Sequence, residues 1–201
     1  MTKVALFGGT FDPPHNGHIH MMLLLQELFA FDGVYIIPTN KNPFKETKTP
    51  AEYRLEMCQK AFMPFPWCKV LDIEVRQGGI SYTIDTVDYL LKEDQEFRKA
   101  EKFFLLGQEA AYSLDQWKQA ERLIGIVQPI VISREDFDAR YALAMPPLIR
   151  TTIEKGWRKA TPLGLSSTEI RSRVTNKLYI EHLVPPSVFL YIQNKRLYLK
   201  E

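Results

Sequence analysis

Cysteine is scarce in this chain. Only Cys58 and Cys68 occur among 201 residues, ten apart, with no CxxC pair and no matching histidine cluster. That usage excludes a disulfide scaffold and fits a reducing compartment with buried or idle thiols. An excess of charge of one sign is lacking as well: 26 Lys and Arg stand against 24 Asp and Glu, a net charge of +2. The dense basic stripe that nucleic acid requires is missing, so no nucleic-acid partner is expected. Long apolar runs are also missing. The start, MTKVALFGGTFDPP, is too poor in apolar residues for a signal peptide, and IHMMLLLQELFAF carries Gln26 and Glu27 in a stretch too short to span a bilayer. The expectation is a cytoplasmic protein with no membrane partner. No repeat, low-complexity tract or Gly/Ser linker divides the chain, so residues 1–201 read as a single domain.

What is present is an alternation. Short runs rich in β-branched and aromatic residues, near 4–8, 34–38, 69–75, 102–107 and 124–133, predict strands, and amphipathic segments over 18–30, 50–62, 82–93 and 115–123 predict helices. Strands that are apolar throughout meet water on neither face, which a parallel sheet covered by helices on both sides explains. The expected fold is a doubly wound, Rossmann-like α/β sheet, mostly parallel. Past residue 134 the pattern predicts a loop and short helix in SREDFDARYALAMPP, a last strand in WRKATPL, and two helices at LGLSSTEIRSRV and SVFLYIQNK, the last third forming a small C-terminal helical subdomain packed on the sheet. In such sheets ligands bind at the carboxyl ends of strands where strand order reverses, so the loops 8–17, 38–50, 76–82 and 107–116 should converge on one crevice.

The first of these loops, GGTFDPPHNGH, follows a predicted strand and precedes a predicted helix, where a glycine turn lets a phosphate approach backbone N–H groups. Its spacing is neither GxGxxG nor GxxxxGK[ST], so neither the dinucleotide fingerprint nor the P-loop applies. His15 and His18, just before and inside a first helical turn, can donate to phosphate oxygens. Zinc is the competing use. On a helix, however, positions 18 and 20 point about 200° apart, so His15, His18 and His20 do not meet one ion, and His20 is read as a packing residue. No protein-held metal is expected.

Two stretches in order carry a specific resemblance. FGGTFDPPHNGH resembles the GGTFDPxHxGH signature of the nucleotidylyltransferase superfamily, and LSSTEIR, residues 165–171, resembles its ISSTxIR signature. VYIIPTNKNPFK, GGISYTIDTVDYL and FLLGQEAAYSLDQWKQAERLI are similar to the IPxxxPPHK, SYTxDTL and GxDxxxxLxxWxxxxxL segments of bacterial nicotinate-mononucleotide adenylyltransferases. The resemblance implies an enzyme of NAD biosynthesis. ATP and nicotinate mononucleotide, its implied partners, give nicotinate adenine dinucleotide and pyrophosphate, with Mg²⁺ arriving on ATP.

Such a transfer needs no protein nucleophile, because the mononucleotide phosphate is itself the attacker. The chain must hold two repelling phosphates in line and neutralise the departing pyrophosphate. Gly8, Gly9, Thr10 and Phe11 offer backbone and hydroxyl donors, and the resemblance implies that His15 and His18 contact the triphosphate. Ser166, Ser167 and Thr168 lie at a helix start, where free N–H groups bind anions, with Arg171 in the first turn. The plainer reading of LSSTEIR is a capping box with Ser166 as cap and Glu169 three residues on, and the two readings coexist. Arg134 is assigned by resemblance to the phosphates, and Lys45, Tyr82, Thr83, Gly107, Glu109 and Trp117 to nicotinate mononucleotide. Their plain readings are surface charge, helix cap and core aromatic.

The sequence departs from the family pattern at Asn42, which replaces the first proline of PPHK, at Phe44, which replaces its histidine, and at Glu109, which replaces the Asp of GxD. A sister enzyme acting on nicotinamide mononucleotide or phosphopantetheine stays open, although His15 contradicts the TNGH-type motif of the latter. So does a nucleotide-binding regulator without turnover, against which intact His15, His18 and LSSTEIR argue. A homo-oligomer is neither indicated nor excluded. The helix start at SYTIDT should turn unpaired N–H groups toward the base, which favours the acid over the amide.

Overall fold

Six strands carry the architecture of the computed structural model, which describes residues 2–161 and 163–199. They are β1 (Lys3–Gly9), β2 (Gly33–Pro38), β3 (Cys68–Val70), β4 (Glu101–Gly107), β5 (Gln128–Ser133) and β6 (Trp157–Lys159). Their order in the sheet is β3-β2-β1-β4-β5-β6, and every neighbouring pair is parallel. Strand order therefore reverses between β1 and β4.

Period-two alternation along these strands feeds two cores, one on each face of the sheet. Val4, Leu6, Tyr35, Phe104 and Val131 point into one. Ala5, Phe7, Ile36, Phe103 and Ile130 point into the other. The first face is covered by α4 (Thr83–Glu93), α7 (Ala120–Ile126) and α8 (Pro147–Gly156) through residues such as Val87, Leu123 and Ile153. The second is covered by α1 (Asn16–Phe29), α2 (Ala51–Phe62), α9 (Ser167–Thr175) and α10 (Pro186–Lys195) through Met22, Met57, Ile170 and Val188. Short helices α3 (Ile73–Gln77), α5 (Gln95–Lys99) and α6 (Gln108–Ala111) complete the connections. The last third thus contributes to both layers: α8 packs on β5, and α10 packs on α2. Among the described residues no helix is long and apolar enough to cross a membrane.

Three expectations need correction. The run 69–75 is not one strand, because β3 ends at Val70 and Ile73 and Glu74 are buried as part of α3. Residues 124–126 close α7 instead of opening β5: Ala120, Leu123 and Ile124 are buried at helical spacing, a pattern a short apolar run cannot distinguish from a strand. The helix expected over 115–123 is broken. A 3₁₀ turn at Leu114–Gln116 ends at Trp117, whose backbone is extended, and α7 begins only after Gln119 in the left-handed region. A helix the sequence reading missed, α8, starts with Pro147 at a first-turn position and buries Ile149 and Ile153. Of the strand expected in WRKATPL, β6 covers 157–159, and Pro162 lies outside the described residues.

Candidate active site

The crevice originates in the ladder itself. Strand β1 pairs with β4 only as far as Leu6 opposite Phe104, yet β1 continues to Gly9 and β4 to Gly107. Beyond that point the two strands part company, each still paired on its outer side, Gly9 with Pro38 and Gly107 with Ile132. A cavity of about 360 Å³ occupies the gap. Its position is where the reversal of strand order places a ligand.

Eight of the expected site residues line this cavity: Gly8, Gly9, Phe11 and His18 on the β1 side, and Tyr82, Thr83, Gly107 and Trp117 on the other. Asn42 and Phe44, two of the departures from the family pattern, also line it. The Asn42 side chain accepts from the Phe44 N–H at 2.8 Å, and Phe44 is largely exposed.

His15 and His18 form one unit. His15 is the N-cap of α1, and its Nδ1 accepts the His18 N–H at 3.3 Å, while the His18 Nδ1 accepts the His15 N–H at 3.2 Å. The rings stack with centroids 3.7 Å apart and planes 24° from parallel. With both Nδ1 atoms accepting, a neutral ring must carry its proton on Nε2, so each histidine presents an Nε2–H donor. Burial pushes the His15 pKa down to about 4. Burial and the adjacent His15 push that of His18 well below its ordinary value. The free protein therefore holds two uncharged donors.

Neighbours fix this pair. Phe11, in the left-handed region at φ 49° and almost fully buried, sets its ring edge-on to His18 at 4.9 Å and to Phe7 at 5.4 Å. The Phe11 side chain thus packs the site, and only its backbone remains for an anion. A Cβ on Gly17 would lie 3.0 Å from the His15 Nδ1 and 3.4 Å from the Leu165 Cβ, so the glycine is what lets the ring stack and the LSSTEIR segment approach together. His20 is not simply a packing residue. It is half-buried, turned away from His18, and its Nε2 lies 3.1 Å from the Thr161 carbonyl oxygen, leading into the same segment.

The start of α9 abuts the β1–α1 loop. Ser166 caps it by accepting the Glu169 N–H at 3.1 Å, as the capping-box reading anticipated for Ser166. Ser167 donates to the Pro13 carbonyl at 2.9 Å, and Arg171 donates to the Asp12 carbonyl at 2.7 Å and to Thr168 Oγ1 at 3.2 Å. Ser167 and Arg171 thus hold the first loop. Arg134, at the end of β5, is exposed and its guanidinium sits against Gly164, two residues before the cap. Thr10 does not line the cavity; its carbonyl is taken by Arg54 at 2.8 Å. Lys45 and Glu109 are also not brought into the wall. Both are exposed, Lys45 on the 39–50 loop and Glu109 in the first turn of α6, although Ala110 of that helix and Gly107 just before it do line the cavity.

Three polar groups escaped the sequence reading. Arg54 is 1% exposed and donates to the carbonyls of Thr10, Thr39, Asn40 and Thr49, joining the two loops that flank the phosphate side. Its signal was present, since it falls on the buried stripe Ala51, Arg54, Met57, Cys58 and Ala61 of α2. Asp12 is buried and accepts from the Tyr198 hydroxyl at 2.8 Å, a contact across 186 positions that no local pattern reveals. Glu74, buried on α3, accepts from Thr86 at 2.6 Å.

At the other end of the cavity, the N-cap of α4 is Tyr82, and no side chain caps it. Thr83 and Ile84 of this uncapped first turn line the cavity, with Lys118 over the Tyr82 ring at 4.8 Å and bonded to Asp85 at 2.7 Å. Histidine and backbone donors lie at one end and a helix start at the other, with apolar and aromatic walls between. Among the described residues no group of three His, Cys, Asp or Glu is placed to hold a metal ion.

Known proteins resemble this chain along most of its length. The cytidylyltransferase-like family profile matches residues 6–173. A protein of Methylacidiphilum infernorum named "Probable nicotinate-nucleotide adenylyltransferase" is 36% identical over 98% of this chain and 92% of its own length. One of the same name from Desulfatibacillum aliphaticivorans is 34% identical over 98% of this chain and all of its own length. Among solved structures, the Plasmodium falciparum nicotinic acid mononucleotide adenylyltransferase complexed with NaAD superimposes with a TM-score of 0.75 at 18% identity, covering 98% of each chain. At that identity the likeness concerns the fold. With the match spanning most of its length, the chain belongs to the cytidylyltransferase-like family, alongside the nicotinate-nucleotide adenylyltransferases.

Proposed function

We propose that the chain is a nicotinate-nucleotide adenylyltransferase of NAD biosynthesis, working in the cytoplasm. A phosphate oxygen of nicotinate mononucleotide attacks the α-phosphorus of ATP, a new P–O bond forms, the bond to the β-phosphate oxygen breaks, and pyrophosphate leaves with the electron pair. The observation that carries this reading is the interlocked His15–His18 pair, whose Nδ1 atoms are both consumed by backbone N–H groups and whose Nε2–H groups remain as donors. Donors fixed before the reaction cost no reorganisation when charge develops on the departing group. The names of the curated relatives support the substrate assignment.

The remaining residues divide the labour. Gly8 and Gly9 bring backbone close to the phosphates. The α9 start at Ser166, Ser167 and Thr168, with Arg134 and Arg171 beside it, faces the departing side. Tyr82, Thr83 and Trp117 take the pyridine nucleotide, and Gly107 leaves room at the end of β4. Lys45 and Glu109 reach the ligand only if their segments move inward. The donor set at the phosphate end is imidazole, hydroxyl, N–H and guanidinium, and its one buried carboxylate, Asp12, is engaged by Tyr198 and Arg171. Such a set fits phosphate oxygens and not a bare cation, so Mg²⁺ would arrive with the triphosphate.

Pyrophosphate release with ATP and a panel of nicotinate mononucleotide, nicotinamide mononucleotide and phosphopantetheine tests the assignment. Release with nicotinate mononucleotide above the other two is expected. Nucleotide binding without release from any of the three would favour a regulator instead.

A further inference from the structure

Beneath the first turn of α4 lies a carboxyl group the mechanism does not use. Glu74 is 7% exposed, and its side chain forms part of the cavity wall. Its Oε1 accepts from Thr86 at 2.6 Å, whereas its Oε2 is buried without a hydrogen-bond partner. A second orphan, the hydroxyl of Thr39, sits in the wall of the same cavity. Two unsatisfied polar groups in the wall of one pocket are costly unless binding or specificity uses them.

We propose that Glu74 is a specificity-positioning residue that acts through the first turn of α4 and sets how strongly that turn favours an anionic over an uncharged pyridine substituent. The inference rests on the assignment of this end of the cavity to the pyridine base. Glu74 need not touch the ligand. It accepts from Thr86, in the turn whose Thr83 and Ile84 line the cavity and whose N–H groups no side chain caps. Uncharged, it leaves the positive helix end intact for a carboxylate. Ionised, it places a negative charge under the same turn and offsets that end.

The surroundings hold the balance. Burial raises the Glu74 pKa, opposed by the Thr86 and Ser81 hydroxyls and by the Arg54 charge from α2, with Asp85 of α4 adding to the rise. Lys118, in the same wall, is committed to Asp85, and on the sheet side the Tyr35 hydroxyl is committed to Asp94.

The test is the ratio of kcat/KM for nicotinate mononucleotide to that for nicotinamide mononucleotide, measured from about pH 5 to about pH 9 in wild type and in Glu74→Gln. Both substrates share the phosphate and both use His15 and His18, so these titrations cancel in the ratio. In wild type the ratio should fall by roughly tenfold as pH rises through a carboxyl titration above the ordinary range. In Glu74→Gln, which keeps the length and the acceptor for Thr86, the ratio should stay at the low-pH level throughout. A wild-type ratio independent of pH overturns the proposal without reference to any variant, as does a Glu74→Gln protein that slows both substrates equally, the result of a purely structural role. Wild type that releases no pyrophosphate with either substrate overturns the activity itself, and this inference with it.

Discussion

Arg171 donates its Nη1 hydrogen to the Asp12 carbonyl at 2.7 Å, tying the second signature to the first across 159 positions of chain. The bond is charge-assisted, and the side chain is mostly covered, so its loss releases the β1–α1 loop as well as removing a cation from the phosphate end. Arg171→Ala should lower kcat/KM for ATP by roughly ten- to a hundredfold, in line with about 1.5–3 kcal/mol for a hydrogen bond to a charged group. Arg171→Lys restores charge but not the fork and should recover only part of it. Steady-state kinetics of both variants checks this; full recovery by Lys would show that charge alone matters.

His18→Ala removes one of the two interlocked rings. Turnover should drop by roughly a hundredfold or more, as when a fixed oxyanion donor is deleted, with nicotinate mononucleotide still bound. Single-turnover rates beside equilibrium binding separate the two effects, and near-normal turnover in a folded protein would refute the role.

Gly17→Ala ought to stabilise a helix start by its propensity, since Gly costs about 1 kcal/mol relative to Ala. Here the new Cβ meets the His15 ring at 3.0 Å. The expected outcome is the reverse of the usual one: lower turnover with no gain in Tm, because the His15 ring must give way and loses its alignment with its partner. Thermal unfolding and kinetics on one preparation decide it.

Stability should fall in mild acid. His15 has an ordinary pKa of 6.5 when unfolded and about 4 in the fold, so the unfolded chain binds the proton first. Its contribution is complete above about pH 6.5 and is lost as pH falls toward about 4, on the order of 3 kcal/mol for this one group. His18 shifts the same way. Urea denaturation across this interval measures the slope. His15→Asn, which retains a capping side chain, should flatten it; an unchanged slope would place the acid sensitivity elsewhere.

Arg54→Met should destabilise by about 3–5 kcal/mol, since it strips the donors from four loop carbonyls around a buried position. Denaturant midpoints would show it, and a loss within about 0.5 kcal/mol would mean the carbonyls find other partners.

Local chemistry explains which features could be read in advance. The strand–helix alternation was legible because a sheet buried on both faces requires apolar strands, and the switch-point crevice follows from that topology. Gly8, Gly9 and the histidines were legible as a glycine turn beside donors. The break at Trp117 was not: ERLIGI satisfies helical and strand burial alike, and the left-handed residue that divides the helix is Gln119, not a glycine. Arg54 could have been found, as a charge on an apolar stripe. Glu74 looked like the polar position of a strand, and Tyr198 finds Asp12 only once the chain has folded back on itself.

The parting of β1 from β4 after Leu6 and Phe104 has a wider consequence. The binding crevice is bounded by main chain that runs on past its last shared rung, so its existence does not depend on the side chains around it. Drift at the rim, such as Asn42 and Phe44 here, can retune which base enters while leaving the opening in place. An engineer wanting a different acceptor should therefore rewrite the 39–50 loop and the α4 entrance first, and treat the two diverging strands as fixed chassis.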